Sequence, residues 1–148
     1  MTVLCNQNTG GYPEIVLPRD KRYPVHESNF VSSSTQIIND NTSEYPLNID
    51  AYYDVYGVLM FDSIVYFLVQ DSDGMPGFFP SELFSVLDSS IPPDWSISVY
   101  HTCNGSILLL GYHDFVSSYA MLLDLIDECA NAIEAFLAYI SFYEEWYK

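Results

Sequence analysis

Positive charge is nearly absent from this chain: 4 Lys and Arg stand against 20 Asp and Glu in 148 residues, a formal net charge of −16. That excludes a basic face able to meet nucleic-acid phosphates. Long apolar runs are missing too, and none approaches the ~20 residues that a membrane-crossing helix needs. Cysteine is scarce, and Cys5, Cys103 and Cys129 form no CxxC pair. A zinc ribbon and a thioredoxin-type motif are thereby excluded. The start, MTVLCNQNTGGYPEIV, lacks a basic segment followed by an apolar one, and four residues before Cys5 are too few for a lipoprotein signal helix. A cytoplasmic, reducing setting is the expectation. No G-x-S-x-G elbow, H-E-x-x-H helix or Gly-rich phosphate loop occurs, and no cofactor is implied.

What is present is apolar and aromatic. The hydrophobic fraction is 49% and the aromatic fraction 16%, with 13 Tyr, which is too much for a disordered acidic chain. The length suits one domain over 1–148. Arg19, Lys21 and Arg22 cluster near the front and Lys148 is last; from Tyr23 to Tyr147 there is no Lys or Arg, but there are 18 Asp and Glu. Self-repulsion of this kind costs stability. Neutral polar residues would give solubility with less of it, so the charge reads as shaped for a basic partner.

Three regions follow from local patterns. Residues 1–48 are rich in Gly, Pro, Ser and Asn and read as a partly extended, irregular arm, in which Ile15-Val16-Leu17 and Gln36-Ile37-Ile38 can pair as edge strands. Residues 49–113 read as β-rich. Val55 to Phe61 and Ile64 to Val69 flank a two-residue hairpin connection, Asp62-Ser63. Short strands follow at Gly77 to Pro80 and Phe84 to Leu87, with a helical turn starting near Pro80-Ser81. Ser96 to His101 and Ile107 to Tyr112 form two more, joined around Asn104-Gly105. In the first, Trp95, Ile97, Val99 and His101 alternate with Ser96, Ser98 and Tyr100, which predicts a half-buried strand with Ile97 and Val99 inward. Residues 114–148 read as helical: apolar residues from Tyr119 to Tyr143 recur in steps of three and four. The predicted helix spans about 117–146, as one run or with a break within it, and Asp114 or Ser117 is its N-cap. An antiparallel sheet (about 54–112) packed on an amphipathic C-terminal helix is an α+β fold.

Chemistry-bearing clusters are few. Counted from Asp71 as a calcium loop, Asp71, Asp73 and Glu82 occupy ligand positions, but Met75 takes another and Pro76 stands where the loop requires Gly. An acidic β-turn is the expectation there, with no metal. His101, Cys103, His113 and Asp114 are the acid–base or nucleophile candidates, but their spacing orients no ring against a partner. The stronger signal is the helix. Asp124, Asp127, Glu128, Asn131 and Glu134, extended by Glu145, fall opposite the apolar stripe, with no Lys or Arg three or four residues from the first acids. Carboxylates repeated along a helix imitate the spacing of phosphates. Tyr143 and Trp146 add aromatic grip, because such rings bury large area while keeping a polar tip.

Two resemblances bear on fold and function. Ala51-Tyr52-Tyr53-Asp54-Val55 and Gly77-Phe78-Phe79-Pro80-Ser81-Glu82-Leu83-Phe84 resemble the opening and closing motifs of SH3 domains, which implies a small curled sheet of that type. Fewer than thirty residues separate them here and the paired Trp of the ligand groove is missing, so proline-rich peptide binding is not carried over. From Tyr56-Gly57-Val58-Leu59 through Asp88-Ser89-Ser90-Ile91-Pro92-Pro93-Asp94-Trp95, the chain is similar to small acidic immunity proteins of bacterial polymorphic-toxin and contact-dependent growth inhibition systems. That resemblance implies a non-enzymatic cytoplasmic protein that binds a cationic toxin, a nuclease in many cases, with no direct contact to nucleic acid or membrane. The alternatives are a phage-type nucleic-acid mimic that inhibits a host nuclease and, from another class, a metal-dependent hydrolase using carboxylates near Asp71 and His101. The oligomeric state is left open.

Overall fold

The structure, a computed structural model, describes residues 1–10, 15, 17, 44–103 and 105–148. The strand expected at Gln36-Ile37-Ile38, Val16 of the other arm strand, and Asn104 of the expected turn lie outside the described residues. The elements run β1 (Thr2–Cys5), β2 (Tyr52–Asp54), β3 (Gly57–Phe61), β4 (Ile64–Gln70), β5 (Pro76–Pro80), a 3-10 turn (Ser81–Leu83), β6 (Phe84–Asp88), β7 (Ser96–Thr102) and β8 (Gly105–Gly111), followed by α1 (His113–Val116), α2 (Tyr119–Ile126) and α3 (Ala130–Tyr147). The fold is α+β.

Five strands form an antiparallel sheet in the order β5-β4-β3-β8-β7, and three form a second in the order β2-β1-β6. The sheets do not close into a barrel. At the β3–β4 hairpin, Asp62 and Ser63 both take positive φ, 53° and 64°. This is the type I′ geometry that matches strand twist, reached here without Gly. Within the stretch read as an irregular arm, β1 is the central strand of the small sheet, between β2 and β6. Val3 and Cys5 point into the core while Thr2 and Leu4 are half-buried. A four-residue alternation is too short to announce itself in sequence.

The large sheet has two unlike faces. On one, Leu59, Leu68, Ile107 and Leu109 pack with Phe115, Leu122 and Phe136 of the three helices. On the other, Phe67, Val69 and Phe79 pack with Val3, Cys5 and Phe84 of the small sheet. Register extends this second face into two cross-strand rows. Ile97, Leu110, Val58, Phe67 and Phe79 make one; Val99, Leu108, Met60 and Val65 make the other.

Two expectations change. The alternation in β7 is present, but its faces are reversed. Ser98 and Tyr100 pair with the fully buried Leu109 and Ile107, on the helix side, and the Tyr100 hydroxyl donates to the Val116 carbonyl at 2.6 Å. Ile97 and Val99 therefore point outward. The helix predicted over about 117–146 is interrupted at Asp127–Cys129, and Ser118, not Asp114 or Ser117, caps α2 by accepting from the Met121 amide at 3.3 Å. The break is a Schellman motif. The Cys129 amide donates to the Asp124 carbonyl (2.8 Å) and the Glu128 amide to the Leu125 carbonyl (3.2 Å), with Glu128 in the left-handed region at φ 58°.

Candidate protein-binding surface

The break in the helix divides the predicted acidic row. Asp124 is half-buried at the end of α2, and Asp127 and Glu128 are exposed in the turn. Glu128 lines a hollow of about 200 Å³ beside Phe78, Leu125 and Ile126. Asn131, Glu134 and Glu145 are exposed on α3, where Glu134 and Glu145 are three turns, roughly 16 Å, apart on one stripe. The continuous carboxylate ladder therefore does not exist as one helix face. Tyr143, predicted as a surface anchor, is only 6% exposed and packs on Tyr56 with ring centroids 5.5 Å apart. Its steps of four from Tyr139 and seven from Phe136 place it on the core stripe. Trp146 is a surface residue, 68% exposed, with its ring tilted 35° to that of Phe142 at 6.2 Å between centroids.

A different assembly of acids and rings lies next to this stripe. The β6–β7 loop brings Asp94, the end of β8 brings Tyr112, α1 brings His113 and Asp114, and α3 brings Ala135, Ala138, Tyr139 and Phe142 around a cleft of about 320 Å³. Tyr112 and Tyr139 stack face to face, 4.4 Å between centroids and 13° between planes. The Tyr139 hydroxyl receives a bond from Trp95 Nε1 (3.0 Å) and donates to Asp94 Oδ1 (3.3 Å). Tyr147 donates to the same oxygen at 2.9 Å. Two phenols thus hold the Asp94 carboxylate at the cleft mouth, and Asp114 stands exposed across it. The small side chains of Ala135 and Ala138 keep the α3 side of the cleft open.

Electrostatics assign the roles. Burial pushes the Tyr112 and Tyr139 phenols above the ordinary range, with Asp114 adding to the first and Asp94 to the second. Both rings stay neutral donors at physiological pH, so the cleft's negative charge is carboxylate charge. At the far end of α3, Lys148 pairs with Asp54. That hydrogen bond, ahead of all other influences, raises the lysine pKa. The chain's last cation is thereby neutralised, and Glu144 stands close by.

The chain matches no protein-family model, no curated protein and no solved structure. The surface must therefore be read from its own chemistry.

The other sequence candidates do not converge. His101 and Cys103 lie at one end of the β7–β8 hairpin and His113 and Asp114 at the other. His101 Nδ1 is 2.9 Å from Ser106 Oγ, and Asp71 Oδ1 accepts the amides of Asp73 (2.8 Å) and Met75 (3.0 Å), closing its own turn. Among the described residues no group of three or more His, Cys, Asp and Glu is placed to hold a metal ion. None of their helices is long and apolar enough to cross a membrane. His113 and Asp114 stand out in the sequence as acid–base candidates, but nothing there gathers them with Asp94, Tyr112, Tyr139 and Phe142. The cleft's parts come from four separate elements, and no spacing rule joins them.

Proposed function

We propose that this chain is a non-enzymatic immunity protein that binds a cationic toxin of the nuclease class and covers its basic active site with an acidic, Tyr-rich surface. The observation that carries the reading is the cleft: two carboxylates, Asp94 and Asp114, flank a stacked pair of neutral tyrosines. A partner's Arg or Lys entering it meets the two carboxylates and the exposed ring of Phe142 together, over a floor made by the buried Tyr112 and Tyr139, and a cation beside charge and ring is held once water is displaced. Glu134 and Glu145 on the adjoining stripe, with the exposed Phe142 and Trp146, extend the same surface. Long-range attraction from a body of −16 would speed encounter with a basic protein by ~10–10³-fold over a neutral pair. The aromatic contacts would then slow departure.

The test starts from the basic protein that co-purifies with the untagged chain. Asp114→Asn and Glu134→Gln remove two exposed charges without touching the core, and inhibition of that protein's nuclease activity is titrated with wild type and variant. The reading expects the double variant to need at least about tenfold more protein for half inhibition at low salt. Equal potency, or a co-purifying protein without nuclease activity, would overturn it.

A further inference from the structure

Among the described residues, the two apolar rows on the outer face of the large sheet are covered at one end only. Phe67 and Phe79 lie beneath the small sheet. At the other end Ile97 is 62% exposed, Val99 49% and Met60 43%. Leu108 and Leu110 are half-buried between them. β7 is the edge of its sheet, so the rows run out to the rim.

The same area is free of charge. No Asp, Glu, Lys or Arg occurs on β3, β7 or β8, nor anywhere from Trp95 to His113. In a body of −16, the strands that form the open half of this face thus bring no carboxylate to it. Apolar surface that is continuous, uncharged and left open beside a covered half marks an interaction site.

We infer that this face is a two-fold interface with a second copy of the chain. Charge selects the occupant. A basic partner finds no carboxylate to pair with here and is drawn to the acids elsewhere. Two copies repel through every acid-bearing surface; on this face they meet without bringing like charges together. A two-fold axis sets Ile97 and Val99 of one copy against Met60, Leu108 and Leu110 of the other, the self-complementary arrangement of an isologous dimer with an apolar centre. The Asp94–Asp114 cleft lies on the helix side of the sheet, so the dimer leaves both clefts open and the inference stands independently of the toxin reading.

Sedimentation equilibrium of the full chain, over rising concentration at low and high salt, tests it. The expected result is a monomer–dimer equilibrium that tightens as salt rises, because screening relieves repulsion between the acidic bodies while apolar contact persists. Ile97→Thr with Val99→Thr keeps both residues β-branched and is expected to weaken the dimer by at least about tenfold with the thermal melt of dilute protein unchanged. Should the pair melt early, Ile97→Thr alone, at the sheet rim, carries the comparison. A monomer at every concentration and salt overturns the inference, as does a dimer that salt weakens or that these variants leave at wild-type strength.

Discussion

Phe115 fills the space that two absent side chains leave. A Cβ on Gly57 would lie 2.6 Å from its ring, and one on Gly111 2.7 Å. These glycines are paired across β3 and β8, and the ring of α1 sits over both. Gly57→Ala is therefore expected to destabilise the fold by about 1–3 kcal/mol through overpacking, measured by urea unfolding. In the background of Phe115→Leu the same substitution should cost less, and an additive double-mutant cycle would contradict the contact. Tyrosines give a second residue-scale prediction. Burial pushes Tyr66 from the ordinary 10.0 up to about 12, and it also raises Tyr56 and Tyr112. A phenol whose folded pKa lies above its unfolded value contributes stability that is complete below pH ~10 and is lost as pH rises through the folded pKa. The urea midpoint should hold steady up to about pH 10 and then fall, with tyrosinate absorbance at the buried rings appearing late and together with unfolding. All 13 tyrosines titrating near 10 in a folded protein would contradict that packing.

At the scale of elements, the turn between α2 and α3 is the clearest case of a residue out of keeping with its backbone. Glu128 occupies the C′ position of a Schellman motif at φ 58°, where Gly is the usual residue because it has no Cβ to clash. Glu128→Gly is expected to stabilise the protein by roughly 0.4–1 kcal/mol in thermal or urea unfolding; a loss of stability would show that the carboxylate has a structural partner worth more than the strain. This residue also explains why the helix reads as continuous in the sequence. No Gly marks the stop, and the apolar period runs through Asp127–Cys129 almost in phase. Strand positions were legible for a comparable reason: β3, β4, β7 and β8 carry strong apolar content between turn residues. Facing was not. The period of β7 determines that Ile97 and Val99 share a side, but which side is buried depends on the Tyr100 phenol reaching Val116 and on pairing with β8.

At the scale of the whole molecule, the sequence displays the charge and the structure distributes it. The absence of Lys and Arg from Tyr23 to Tyr147 is visible in the text, whereas the meeting of Asp94, Asp114, Tyr112 and Tyr139 exists only after four elements fold together. The result has two sides: acids and phenols around the helices and, on the opposite face of the large sheet, the open parts of β3, β7 and β8, strands that hold no Asp, Glu, Lys or Arg. Asp94 and Asp114 separate stability from function within the first side. Asp94→Ala removes the acceptor of Tyr139 and Tyr147 and is expected to cost about 1–3 kcal/mol in urea unfolding, whereas Asp114→Asn, on an exposed side chain, should stay within roughly 0.5 kcal/mol of wild type. Equal losses would mean that the two carboxylates are built into the fold alike. The most direct test of the central claim is the association rate between this chain and the basic protein proposed as its partner, followed across ionic strength for wild type and for Asp114→Asn with Glu134→Gln. The account predicts a rate that falls steeply with salt and, at low salt, is at least about tenfold slower for the variant. A rate flat across salt and equal in the two proteins would contradict it.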